Sequence, residues 1–219
     1  MGYRNIIFDF DGTITDSRDD IAGAQLWVLG QLGVTSYTKE DLYPYIGKPL
    51  HDTFVLLLPP SLHHRIPDAA KMYADYYVPR SLQTTRLFPG VRETLEILQR
   101  GGKRLAVAST KRGTGIRRAT DHFGITGAFV QLQGSDGIPF KPDPFIINTI
   151  ITDQLWERGE TIMVGDTDVD ILAGKNAGIA TCAVTYGSLN ESELRRHRPD
   201  HLIRHFPEIL AVVDGGPKH

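Results

Sequence analysis

The chain has 219 residues, 41% hydrophobic and 23% charged, enough for one sizeable core or for a domain that carries a smaller insertion. Its 24 basic and 26 acidic side chains leave a net charge of −2, so no basic field points to nucleic acid or to an anionic membrane surface. A single cysteine, Cys182, excludes an intramolecular disulfide. No apolar run approaches the ~18–20 residues of a membrane span, and "MGYRNIIFDF" lacks a signal peptide's apolar core, so a cytoplasmic location is expected.

In chain order, the apolar run "NIIFDF" predicts a first strand ending in Asp9-Phe10-Asp11-Gly12. Strand signals then disappear from Ser17 to about Leu87. There "DIAGAQLWVLGQLG", "TKEDLYPYIG", "PLHDTFVLLL" and "DAAKMYADYYV" read as successive helices broken by Gly and Pro. The expected division is an α/β core over 1–16 and 86–219, with an all-helical subdomain over 17–85 inserted into it. "FPGVRETLEILQRGG" then predicts a helix closed by Gly101 or Gly102. Strands follow at Lys103–Ser109, Ala128–Gln133, Thr161–Asp166 and Ala180–Tyr186. Helices are expected between them, from Gly113, from Pro144 and from Asp168. That alternation argues for an α/β fold, a Rossmann-like parallel sheet covered on both faces, with ligands gathering at the strands' carboxyl ends. The closing "DGGPKH" is expected to fray.

Three of these strand ends carry polar chemistry: Asp9 and Asp11 on the first, Ser109, Thr110 and Lys111 on the second, Asp166, Asp168 and Asp170 after the fourth. "PFKPDPF" adds Lys141 just before a helix. Carboxylates brought together at one sheet edge repel and lose water, and a hard divalent cation between them removes both penalties. Asp9 and Asp166 are the expected direct ligands of Mg²⁺, with Asp170 behind them. With Lys141 and the Ser109 hydroxyl, such a metal makes a site for a phosphoryl group. An aspartate there can act as nucleophile, and Asp11 can protonate a leaving oxygen and later activate water.

Taken in order, "DFDGTITDS", Ser109, "KPDP" and "VGDTDVDI" resemble the four motifs of the haloacid dehalogenase superfamily of phosphatases, over essentially the whole chain. The resemblance implies Asp9 as nucleophile and Asp11 as general acid/base. It implies Mg²⁺ held by Asp9, the Asp11 carbonyl and Asp166, and phosphate bound by Ser109 and Lys141. Gly12, Thr13 and Asp170 take supporting positions, Asp170 beside the metal or the lysine. Thr110 stands where the family more often has Asn. An acid at position 11 resembles phosphatases and phosphomutases, since the family's dehalogenases lack it and its transport ATPases usually carry lysine there. The helical insertion, 17–85, resembles the family's helical cap on its catalytic core, and its first helix lacks the histidine typical of β-phosphoglucomutases, which argues against a mutase.

Within the family, "YIGKPLHDTF" resembles cap segments of phosphoglycolate phosphatases and related pyrophosphatases, and Lys48 in it is a candidate contact for a second anionic group. The resemblance therefore implies a small phosphate ester as substrate, phosphoglycolate first. Inorganic pyrophosphate or a sugar or nucleotide phosphate is the alternative, in a monomer or homodimer that binds neither nucleic acid nor membrane. From a different class, a phospho-accepting signalling domain also gathers aspartates at a sheet edge, but it needs neither Asp11 nor a cap.

Other patterns read differently. Asp166, Asp168 and Asp170 imitate the start of a calcium loop, but the required Gly and Glu positions hold Ile171 and Ala177. Asp168 is expected to be a solvated helix-start acid, and Ser109 to cap the following helix while also binding phosphate. Lys48 and Lys111 stand evenly between substrate contact and solvated charge. Tyr73, Tyr76 and Tyr77 are expected to pack the cap core, Cys182 to be buried and inert, and His197, His201 and His205 to lie on the surface.

Overall fold

The structure, a computed structural model, describes residues 2–215; residues 216–219 of the expected fraying tail lie outside the described residues. In chain order the strands are β1 (Asn5–Phe8), β2 (Thr15–Asp16), β3 (Arg86–Leu87), β4 (Arg104–Ser109), β5 (Gln131–Gly134), β6 (Thr161–Gly165), β7 (Ala180–Val184) and β8 (His201–Ile203). The α-helices are α1 (Arg18–Gln31), α2 (Leu50–Leu57), α3 (Ile66–Arg80), α4 (Val91–Arg100), α5 (Gly113–His122), α6 (Phe145–Gln154), α7 (Asp168–Asn176), α8 (Glu191–Arg196) and α9 (Ile209–Val213). The chain divides into two units, Met1–Thr15 with Leu87–His219, and Asp16–Arg86.

The first unit is built on six strands in the order β5-β4-β1-β6-β7-β8, each pair parallel. β1 lies at the centre because all four of its residues are buried, as a continuous apolar run in a two-sided sheet requires. Its register places Ile7 beside Ala106 on one flank and Met163 on the other. These three pack with Ile146, Ile147 and Ile150 of α6. Complete burial of each such isoleucine contributes about 1.5–3 kcal/mol. α4 buries Val91, Leu95 and Leu98 at helical spacing and leaves Ile97 exposed. Cys182 is buried in β7, and burial pushes its thiol pKa up, which keeps it unreactive.

The first unit departs from the sequence expectation at β8, at β5 and at the start of α5. β8 is an additional strand, and His201 within it is 2% exposed and hydrogen-bonded to the Tyr3 hydroxyl at 3.1 Å, which corrects the reading of that histidine as a surface residue. Its three residues are too few to show a period. β5 begins at Gln131 rather than Ala128, because Thr126–Ala128 close a 3₁₀ turn first. α5 begins at Gly113 with Arg112 at its N-cap, so Ser109 does not cap it.

The second unit is helical, apart from the strand residues at its two ends. Ala22, Val28 and Leu29 of α1 pack with Phe54 and Leu57 of α2 and Ile66 and Ala69 of α3. Tyr73 joins this cluster, while Tyr76 stacks on Trp27 with ring centroids 4.3 Å apart. Glu40–Tyr45 forms a 3₁₀ helix where a longer helix was expected; Pro44 supplies no N–H to a continuing α-helical ladder. The chain's two crossings between units pair as β2 and β3, two residues each and below the length at which a strand shows in sequence. No helix among the described residues is long and apolar enough to cross a membrane.

Candidate active site

The site grows out of the carboxyl ends of β1, β4 and β6. The Asp9 N–H donates to the Val164 carbonyl at 2.8 Å, which carries the β1–β6 ladder one residue further and fixes Asp9 at the sheet edge. The chain then turns back: the Ile14 and Thr15 N–H groups both donate to the Phe10 carbonyl at 3.0 Å. Gly12 makes this turn at φ +92°, and a Cβ there would sit 2.6 Å from the Asp166 carboxyl carbon. Glycine is therefore demanded twice, by the left-handed backbone and by the carboxylate against it.

Lys141 holds the centre. Its Nζ donates to Asp9 Oδ1 at 2.6 Å, to Asp170 Oδ1 at 2.5 Å and to the Ala108 carbonyl at 3.0 Å. An ammonium has three protons, and all three are placed. Burial opposes its charge, but the Asp170 and Asp9 carboxylates outweigh that effect and push its pKa up. Asp170 in turn accepts the Thr167 N–H at 3.0 Å and the Thr167 hydroxyl at 2.5 Å through Oδ2, closing the first turn of α7.

Asp166 is wholly buried. Its Oδ1 accepts the Thr13 hydroxyl at 3.1 Å and its Oδ2 the Ser188 N–H at 2.8 Å. Burial and the neighbouring Asp170 push its carboxyl up to about 6, against the hydrogen bonds from Ser188 and Thr13. Asp9 is pushed well above the usual carboxylate range, by burial first and then by Asp170 and Asp166, while Lys141 pulls the other way. Its Oδ2 accepts no hydrogen bond among the described residues.

Carboxylate oxygens of Asp9, Asp166 and Asp170 lie within 4.8 Å of one another. When all three carboxylates are ionised, their charge exceeds that of the one ammonium of Lys141 by two, all on hard oxygen donors. That donor set fits a hard divalent cation and not a soft one.

Asp11 is held apart from this cluster. Its two carboxylate oxygens accept Lys111 Nζ at 3.2 and 3.0 Å, with the side chains 11% and 13% exposed. The Ser109 hydroxyl, at the end of β4, accepts the Lys111 N–H at 3.3 Å, and its carbonyl accepts the Ser135 hydroxyl at 2.9 Å. Thr110 follows it half-buried, and Asp168 is half-buried at the first position of α7. Asp9, Asp11, Gly12, Thr13, Ser109, Thr110, Lys141, Asp166 and Asp170 thus share one edge of the sheet. Lys48 lies in the helical unit and is exposed.

Two features escaped the sequence reading. One is the Lys111–Asp11 pair. The other is the loop after β7, where Ser188 holds Asp166, the Tyr186 hydroxyl donates to the Thr13 carbonyl at 3.0 Å, and a Cβ on Gly187 would overlap Asp166. Its position at the carboxyl end of a strand beside β6 was the available signal.

Buried carboxylates around an ammonium, at the carboxyl edge of a parallel sheet, place this among the α/β folds whose ligand sites lie at the strand ends. Residues 6–184 match the haloacid dehalogenase-like hydrolases, and the chain belongs to that family. It is 31% identical over 217 residues to a phosphoglycolate phosphatase of Vibrio parahaemolyticus, covering 95% of each chain. It is 29% identical over 214 residues to a pyrophosphatase of Halalkalibacterium halodurans, covering 97% of this chain and 98% of the other. The solved structure of a haloacid dehalogenase-like hydrolase from Streptococcus pneumoniae superposes with a TM-score of 0.87 at 27% identity, covering 95% of this chain and 97% of that one.

Proposed function

We propose that the protein is a phosphatase that uses Mg²⁺ to hydrolyse a small anionic phosphate monoester, phosphoglycolate first, through an aspartyl-phosphate on Asp9. The observation that carries this reading is the Asp9 carboxylate. One oxygen is clamped by Lys141 within the carboxylate cluster, and the other carries no hydrogen bond among the described residues.

In the first half-reaction Asp9 Oδ2 attacks phosphorus, the ester P–O bond breaks, and Asp11 gives a proton to the departing oxygen. In the second, water attacks phosphorus, the bond to Asp9 breaks, and Asp11 takes the water proton. Asp9, Asp166 and the Asp11 carbonyl would hold Mg²⁺, which would supply positive charge against the charge developing on the phosphoryl oxygens. Lys141 fixes the attacking carboxylate through its other oxygen and offsets the charge of Asp170. Ser109, with Thr110 and the backbone N–H groups beside it, hydrogen-bonds the phosphoryl group. The inserted helical segment, 17–85, is assigned substrate selection, with Lys48 as its candidate anion contact.

The similarity to a phosphoglycolate phosphatase supports the first substrate, and the similarity to a pyrophosphatase makes inorganic pyrophosphate the second. The test is phosphate release with Mg²⁺ or EDTA from phosphoglycolate, pyrophosphate, sugar phosphates, nucleoside monophosphates and p-nitrophenyl phosphate. Metal-dependent turnover is expected, with Asp9→Asn folded and inactive. Normal turnover by Asp9→Asn overturns the covalent route. A long-lived phosphoprotein without turnover assigns the site to signalling instead.

A further inference from the structure

Lys111 is gripped at both ends. Its own N–H donates to the Ser109 hydroxyl at 3.3 Å, and its carbonyl accepts the Ser135 N–H at 3.3 Å, so two strand ends fix its backbone. Its stem passes close over Gly115 in the first turn of α5. A Cβ there would sit 3.4 Å from Lys111 Cγ and Cε, so the glycine leaves room for the stem. The ammonium then reaches both oxygens of Asp11, at 3.2 and 3.0 Å. With the two side chains 13% and 11% exposed, little solvent screens the pair.

Asp11 leaves the strand just before the left-handed Gly12, and a carboxylate there has rotamers that aim it away from the reacting centre. An ammonium held by its own backbone and stem, bonded to both oxygens, restricts it to one of them. We propose that Lys111 is a positioning residue that aims the Asp11 carboxylate at the attacking water in the second half-reaction. The step itself belongs to Asp11. Water oxygen bonds to phosphorus, the phosphorus–Asp9 bond breaks, and the water proton passes to an Asp11 oxygen. The proposal rests on the aspartyl-phosphate reading above.

The rival role for Lys111 is direct contact with the substrate phosphate, and kinetics separate the two. p-Nitrophenolate leaves without a proton, so with p-nitrophenyl phosphate the first half-reaction does not need Asp11. Lys111→Met, which keeps the stem and removes the charge, is expected to lower kcat about tenfold, part of the ~10²–10⁴-fold that general-base catalysis contributes because Asp11 itself remains, and to lower KM with it, leaving kcat/KM within about twofold. The p-nitrophenolate burst should persist while steady-state turnover falls. In an Asp11→Asn background the same substitution should change kcat by less than about twofold, because its partner is already lost. Lys111→Arg should recover part of the rate. A tenfold rise in KM at unchanged kcat, loss of the burst rate, or full additivity with Asp11→Asn overturns the proposal, as does normal kinetics. Asp9→Asn run beside these keeps the two readings apart: activity there removes the covalent mechanism, whereas additivity in the double variant removes only the role of Lys111.

Discussion

Lys141→Met is the substitution whose cost the structure defines most sharply. The methionine fits the stem's volume but supplies no proton to Asp9, Asp170 or the Ala108 carbonyl, three acceptors now 2.5 to 3.0 Å from Nζ. Removing one partner of a buried ion pair costs about 3–5 kcal/mol. Here the loss is held near the lower figure, because burial already pushes the Asp9 carboxyl up and it takes a proton when its counter-charge is gone. For a chain of this size that loss corresponds to roughly 10 °C in Tm. A carboxyl whose pKa is raised by folding binds more protons in the native state, so the stability it contributes is lost as pH rises. The deficit against wild type should therefore be larger at pH 8 than at pH 5.5. Melting followed by circular dichroism in EDTA measures it, and added Mg²⁺ should return part of the loss by replacing the missing positive charge. A variant melting within about 2 °C of wild type at both pH values would refute the view that Lys141 neutralises a strained carboxylate cluster.

Two further substitutions test the supports of the site and of the inserted unit. Gly187→Ala puts a Cβ into Asp166 and displaces the Ser188 N–H from its carboxylate; titration calorimetry should show Mg²⁺ affinity about 10–100-fold weaker, and unchanged affinity would deny the loop that role. Asp20 accepts the N–H groups of Leu82, Thr84 and Thr85 and the hydroxyls of Thr84 and Thr85 at 2.6 to 3.1 Å; burial raises its pKa, but the bonds from Thr85 and Thr84 prevail and hold it below the usual range. A depressed pKa means stability present above about pH 4 and lost as pH falls through the folded value. Asp20→Asn should therefore cost about 1–3 kcal/mol in urea unfolding at pH 7, with the gap closing towards pH 3, and a gap constant with pH would exclude the carboxylate as its cause.

The sequence was most informative where chemistry and period coincide. β1, β4, β6 and β7 are runs of apolar residues long enough to read. Their carboxyl ends carry the acids and hydroxyls that had no better explanation than a shared edge. What escaped was short or distant. β2 and β3 have two residues each and β8 three, too few for an alternation to register, so His201 was placed outside when it is buried beside Tyr3. Lys111 reads alike whether it faces water or Asp11, because its partner is 100 residues away and only the packing of β4 against β1 brings them together. Ser188 acts on Asp166 through its backbone N–H, which every residue but proline has, so no residue type could announce it.

The pairing of β2 with β3 has a consequence for how such a chain can change. Thr15–Asp16 and Arg86–Leu87 run side by side, so the chain enters and leaves the inserted segment at neighbouring points, about 5 Å apart as adjacent strands are. A short turn could bridge that gap in place of the 71 residues of Asp16–Arg86, with little loop-closure entropy at stake. None of the six parallel strands would need re-threading. The segment is placed as an exchangeable cassette, which a lineage could trade or resize while the acids and the lysine at the sheet edge stay as they are.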